Sequence, residues 1–228
     1  MKKISKMSEL AWVIYLLLCS LGVVLCTKAD FGLSMLAAPP YILHVVLSKY
    51  WPFFTQGMSE YVFQAFVMAI ICIIVKKFRV RYLLSLTTSV IFGFIIDLWI
   101  LILGGNGAYA QLWQRIVAFI VGEGLIGLAV AFGFNTYLPA QIGELVVTEI
   151  SSTYNFKLHK VKLVADLTYL VVAIVLSLTL THAFTGIGVG TVVITLINSP
   201  LINGSGKLIG KFFEFDAAFK SLKKLLKN

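Results

Sequence analysis

A carboxylate inside an apolar run is the first residue of this sequence that could do chemistry. Glu123 stands between Gly122 and Gly124, near the middle of an otherwise uncharged stretch. A charge at mid-bilayer costs roughly 2.5–3.5 kcal/mol on insertion scales, so acids in such places usually handle protons, ions or substrate. The flanking glycines permit a close neighbouring helix or a wet pocket. Asp97 and Asp166 also lie in apolar segments and join Glu123 as candidates for proton or cation coupling. Asp97 sits two residues from Trp99, toward a segment end, where an interfacial role competes. Asp166 follows Lys162 by four residues, a spacing that suits a helix-surface ion pair.

A second polar set lies where apolar runs are interrupted. The stretch Thr27–Pro40 carries Lys28, Asp30, Gly32, Ser34 and the pair Pro39-Pro40, and Gly133–Gly143 carries Asn135, Thr136, Tyr137, Pro139 and Gln141. Non-helical backbone at membrane depth is tolerated only where protein or a water-filled cavity satisfies it. Paired breaks of this kind mark the binding sites of secondary transporters. The sequence therefore predicts a substrate site lined by Asp30 and Ser34 from one break and by Asn135, Thr136, Tyr137 and Gln141 from the other. Half-helices starting there would turn amides and positive dipole ends toward an anionic group. Asp30 also suits an N-cap of the helix after the break. His44 reads as an ordinary buried or interfacial histidine, and Lys28 as a side chain that snorkels to the surface.

Composition fixes the setting. Of 228 residues 59% are hydrophobic and 13% charged, with a mean hydropathy of +0.94, which is the profile of an integral membrane protein. The net charge of +9 falls in short clusters between apolar runs, a topology signal rather than a nucleic-acid surface. Cys19, Cys26 and Cys72 have no metal-ligand spacing and read as reduced buried thiols. No Ser/His/Asp order, HExxH or phosphate loop is present, so neither an enzyme, a metal nor a cofactor is expected. The N-terminal Lys2, Lys3 and Lys6 precede a run long enough to span, which reads as a retained helix rather than a cleaved signal.

Six segments are expected to span: Leu10–Thr27, Tyr61–Val75, Tyr82–Leu103, Leu112–Phe134, Leu163–Thr181 and Gly188–Ile202. Phe31–Ser48 is apolar enough to be a seventh. Six spans with the N-terminus inside put 16 of the 19 Lys and Arg residues on the cytoplasmic side, and a seventh would export Lys76–Arg81 against the positive-inside rule. Both termini are then cytoplasmic. Leu21–Cys26 aligns with Ile126–Ala131, and the same offset sets Asp30 opposite Asn135. Three spans per half make the halves inverted repeats. The expected fold is an all-α membrane protein of two inverted three-helix repeats, residues 1–104 with a break at 27–40 and 105–205 with a break at 133–143. A basic amphipathic helix over 206–228 follows, with Phe212, Phe213, Phe215, Phe219, Leu222 and Leu226 on one side.

Thr185-Gly-Ile-Gly-Val-Gly-Thr191 and Leu196-Ile-Asn-Ser-Pro-Leu-Ile202 resemble the GxGIGT…GPLI signature of bacterial YczE/YitT-like integral membrane proteins. Lys28-Ala-Asp-Phe-Gly-Leu-Ser34 resembles the KADLGxSPWD turn after that family's first helix, and departs from it at Met35. Asp166 falls near a position where the family tends to carry glutamate. The resemblance implies a six-span membrane protein, often presumed a transporter, without defined chemistry.

These readings converge on a secondary transporter of a small polar or anionic metabolite, proton-coupled through Glu123. Its partners would be that small molecule and the lipid bilayer, with no nucleic acid and with self-association left open. Two other classes compete: a substrate-binding membrane subunit of a larger energised uptake complex, and a non-transporting accessory protein of a membrane-associated biosynthetic complex.

Overall fold

An apolar run that crosses a bilayer must satisfy its backbone internally, and a helix does so. The computed structural model describes residues 4–76 and 78–218. The apolar runs form α1 (Ser8–Ala29), α2 (Ala38–Leu47), α3 (Gln56–Val75), α4 (Val80–Ile102), α5 (Leu112–Gly133), α6 (Ile142–Tyr154), α7 (Leu158–Leu176) and α8 (Val189–Phe212). Five helices, α1, α3, α4, α5 and α7, are long and apolar enough to cross a membrane, and α7 runs on into a π-helical turn over Ser177–Thr181. The sixth candidate, α8, is bent by 42° between Asn198 and Pro200. Proline there lacks an amide hydrogen and its ring crowds the preceding turn. The chain is an all-α multi-pass membrane protein.

Phe31–Ser48 does not span. Only Ala38–Leu47 is helical, and ten residues reach about 15 Å, half the hydrocarbon thickness. Pro39 and Pro40 fall in the first turn of α2, where an amide hydrogen has no intrahelical partner anyway. The prolines that interrupt the apolar run thus start a helix. α6, of 13 residues, is similarly too short to cross.

α1 is the central helix, buried around most of its circumference. It runs antiparallel to α5: Tyr15 lies against Gly133, Gly22 against Gly122, and Ala29 beside Arg115. Several of the remaining contacts come in corresponding pairs, although the α4–α6 contact has no α2–α8 counterpart of similar extent among the described residues. α1 packs on α4 as α5 packs on α8, α2 on α3 as α6 on α7, and α2 on α7 as α6 on α3. α3 and α4 also meet closely at Gly57 and Gly93, which α7 and α8 do not reproduce among the described residues.

The C-terminal segment departs from expectation. Gly206–Phe212 completes α8, and Phe213–Asp216 is a strand, β2, paired in parallel with β1 (Ile4–Met7), Ile4 opposite Phe213. Phe213-Glu214-Phe215-Asp216 alternates apolar and acidic side chains, a period of two that fits a strand and not an amphipathic helix. Phe215 packs edge-on against Phe132 of α5. Phe219, Leu222 and Leu226 lie outside the described residues. The strand pair fixes Ile4–Met7 and Phe213–Asp216 at one end of the bundle.

Candidate functional site

The two breaks return the chain to the middle of the bundle. After α1 the backbone turns at Asp30 (φ 53°) and Gly32 (φ 109°). A side chain on Gly32 would also strike Thr191 and the Gly188 amide, each within 2.6 Å of its Cβ position, so only glycine fits. The Phe31 carbonyl accepts from the Gly190 amide at 2.7 Å, and the Leu33 amide donates to the Gly186 carbonyl at 2.9 Å. The glycine signature Thr185–Thr191 and the Lys28–Ser34 turn, separate in the sequence, are therefore two sides of one joint.

From this joint α2 runs outward to the end of the bundle that carries Lys28, and α6 runs from the second break to the opposite end. Their starting turns meet: Leu36, just before α2, fits against Gly143 in the first turn of α6. Around this meeting point lies a buried polar chain. Gln64 Nε2 donates to Glu60 Oε1 at 3.1 Å and to Gln141 Oε1 at 3.4 Å, and Gln141 Nε2 donates to the Tyr15 hydroxyl at 3.1 Å. Tyr15 in turn interacts with Glu144 on α6. Glu144 lies in a helix that does not span. Burial pushes its carboxyl above the ordinary range, with the Lys162 charge and the Tyr15 hydroxyl pulling the other way.

Glu123 sits on α5 at the α1 crossing, its side chain buried, with Oε1 accepting from the Cys26 thiol at 3.3 Å. Acids from α3, α5 and α6 each reach α1 through named contacts: Glu123 at Cys26, Glu60 by way of Gln64 and Gln141 to Tyr15, and Glu144 at Tyr15. Among the described residues no group of three or more His, Cys, Asp or Glu could hold a metal ion.

The amides at the start of α6 face protein, not an open site. Gly143 N donates to Gln64 Oε1 at 2.7 Å and Ile142 N to Ser89 Oγ at 3.4 Å. At the start of α2, Ala37 and Ala38 donate to the Ser34 carbonyl, and the prolines donate nothing. The expected presentation of free half-helix amides to an anion is not what the structure contains.

The expected substrate residues are not brought together. Asp30 is the C-cap of α1, not an N-cap of the helix after it, and its exposed carboxylate accepts from Arg115 at 3.0 Å. Asn135 donates to the Ala131 carbonyl, Thr136 accepts from the Leu138 amide, and Tyr137 donates to Glu9 at 2.6 Å. Asp30 and Tyr137 therefore sit near opposite ends of α1, about 30 Å apart along a helix of this length. Burial and the Glu9 contact push the Tyr137 phenol up to about 12. Only Gln141 of the expected set belongs to the central chain. Of the coupling candidates, Asp97 accepts from Thr55 Oγ1 at 2.6 Å and Gly57 N at 2.8 Å, capping α3. Asp166 pairs with Lys162 at 2.8 Å on the helix surface. Only Glu123 is both buried and central.

Each end of the bundle is tied. At one, Lys28 is buried rather than snorkelled: its Nζ donates to the Gly105 and Gly107 carbonyls, while Asn106 meets His44 Nε2 at 3.0 Å. At the other, Arg79 and Tyr82 both reach Glu149, at 2.8 and 2.9 Å, and Tyr154 donates to the Ile74 carbonyl.

Glu60, Gln64, Tyr15 and Glu144 were not among the expected site residues. The signal was present for part of the set: Gln56, Glu60 and Gln64 recur every four residues, one polar stripe on an otherwise apolar helix. Residues 6–207 match the family described as "Family of unknown function (DUF6198)". No curated protein and no solved structure matches the chain.

Proposed function

The chain belongs to this family of unknown function, and we propose that it is a secondary transporter of a small polar solute, with protons carried by the central acids. One observation carries the reading. Two half-length helices begin at the middle of the bundle, from opposite ends, inside a buried chain of carboxyl, amide and phenol groups. Such broken helices around a midplane site are the signature of alternating-access transporters. The corresponding packing of α1–α4 and α5–α8 supports an inverted repeat, with the pseudo-symmetry axis passing through the α1–α5 crossing. The charge distribution supports cytoplasmic termini, and the resemblance to YczE/YitT-like membrane proteins points the same way.

In this mechanism the solute exchanges with the Glu60–Gln64–Gln141–Tyr15 chain, since each of those groups can trade a protein hydrogen bond for one to the solute. Glu123 gains or loses its proton as the site faces each side. The Lys28/Asn106/His44 tie and the Arg79/Glu149/Tyr82 tie are broken in turn, so that the two ends are never open together.

Purified protein reconstituted in liposomes tests this with a panel of labelled amines, amino acids and organic acids under an imposed pH gradient. At least one solute should accumulate with the gradient, and Glu123→Gln should abolish accumulation while leaving solute-for-solute exchange. Uptake by the Gln variant with an unaltered pH profile would remove Glu123 from the coupling role, and uptake of nothing in the panel would count against transport itself.

A further inference from the structure

We infer that the central site takes a small organic cation bearing N–H donors, an ammonium or guanidinium group, rather than an anion. The inference rests on the transporter reading for the location of the site and adds the class of its ligand. It follows from which hydrogen-bonding groups are already satisfied. The amide donors along the polar stripe of α3 and in Gln141 are engaged: Gln56 Nε2 donates to Thr27 Oγ1, Gln64 Nε2 to Glu60 and Gln141, and Gln141 Nε2 to Tyr15. The starting amides of α6 are held by Gln64 and Ser89, and α2 opens on two prolines.

Among the described residues, the buried side-chain polar atoms without a partner are Ser8 Oγ, Gln56 Oε1, Ser85 Oγ, Glu123 Oε2 and Asn198 Oδ1. The two serine hydroxyls can donate or accept, whereas the amide and carboxylate oxygens of Gln56, Asn198 and Glu123 call for a donor. Glu123 and Gln56 are only 3% and 4% exposed, so bulk solvent does not reach them. A buried acceptor without a donor costs about 1–3 kcal/mol, and a ligand that brings N–H groups recovers that where an anion cannot.

Charge agrees with this. Glu123 meets α1 at Cys26, and Glu60, through Gln64 and Gln141, and Glu144 meet it at Tyr15, and the nearby cations are committed elsewhere. Lys28 is bound to loop carbonyls, Arg115 to Ala29 and Asp30, Arg79 to Glu149, and Lys162, which does act on Glu144, to Asp166. An anion would meet three acids and amide donors that are already engaged, whereas a cation is attracted to each acid that is ionised.

Thermal unfolding of the purified, detergent-solubilised full chain separates the alternatives, with methylammonium chloride and sodium acetate as probes at matched ionic strength. Methylammonium should raise the midpoint saturably and acetate should not. Glu123→Gln should raise the half-saturating methylammonium concentration at least about tenfold, and Gln56→Leu, which removes the second orphan acceptor, should weaken binding in the same direction. Glu214→Gln, on the exposed face of β2, should bind as the unaltered chain does. Stabilisation by acetate alone, no response to methylammonium, or an undiminished methylammonium response in both site variants overturns the inference. Methylammonium binding without transport of any solute would leave the ligand class standing and remove the transporter reading. Transport of organic acids without methylammonium binding would do the reverse.

Discussion

The α1–α5 crossing should tolerate no added carbon, and Gly22→Ala measures how tightly it is built. A Cβ on Gly22 would lie 2.7 Å from the Gly122 carbonyl oxygen and 2.6 Å from Ile126 Cγ1, and one on Gly122 would lie 2.9 Å from the Gly22 carbonyl oxygen and 2.7 Å from Cys26 Sγ. Ordinary contact begins near 3.4 Å, so one methyl forces the two backbones apart by about 0.7 Å where they have no flexible atom to yield. Overpacking of this kind costs about 1–3 kcal/mol. Replacing glycine by alanine in a helix returns up to about 1 kcal/mol through propensity, so the control must share that gain. Gly206 in α8 has nothing among the described residues within 4 Å of its Cβ position, and Gly206→Ala should be neutral or slightly stabilising. The two variants should therefore differ by about 1–3 kcal/mol, or about 2–12 °C in midpoint for a chain of this size. Tryptophan fluorescence during heating in detergent, using Trp12 and Trp99 on α1 and α4, reads the difference. Equal midpoints for the two variants would show that the helices do not cross at Gly22 and Gly122.

Asp97→Ala removes the carboxylate that holds the Thr55 cap and the Gly57 amide at the start of α3 and should lower stability by about 0.5–2 kcal/mol while leaving the pH dependence of transport unchanged, which thermal unfolding and vesicle uptake would check separately. Arg79→Ala leaves the 3%-exposed Glu149 carboxylate without its ion-pair partner and should destabilise more than Arg79→Lys, because a buried charge without compensation is costly; equal midpoints would place Glu149 in water. His44 donates through Nδ1 to the Phe54 carbonyl and receives Asn106 at Nε2, a neutral tautomer. Burial lowers its pKa below the ordinary 6.5, against the opposing Phe54 bond and Asp97 charge. The unfolded chain then binds the proton more readily, so stability should fall as pH drops through about 6.5 and below, and a His44→Gln variant should show a flatter pH profile in the same unfolding experiment.

Hydropathy located the spans because a bilayer demands long uninterrupted helices, and α4 and α5 begin and end within two residues of the apolar runs that announced them. Charge removed Phe31–Ser48 as a span, and the ten-residue α2 agrees with that. The site was legible only in part. A break in an apolar run signals where the chain leaves the helix, but it does not say how far the following residues travel. Asp30 and Asn135 stay near the helix ends to cap them, and Gln141, further along the second break, reaches the centre. Glu60 and Gln64 were hidden because each looks like an isolated polar residue until α6 supplies Gln141 and the Gly143 amide. The contact between Gly32 and Gly188–Thr191 joins residues more than 150 positions apart, and glycine content alone does not name its partner. The strand over Phe213–Asp216 was missed because aromatic residues spaced for a helix face are also, over four residues, alternate.

Access to the buried polar chain from both sides of the membrane is the most direct measure of the central claim. Ser89→Cys places a thiol of nearly unchanged size on the Ile142 amide at the start of α6, in a chain whose Cys19, Cys26 and Cys72 are replaced by serine. A membrane-impermeant methanethiosulfonate reagent is then applied to right-side-out and to inverted vesicles. Alternating access predicts modification in both preparations, with solute protecting the thiol in each. A thiol that reacts from neither side, or from one side alone whatever solute is present, would contradict it.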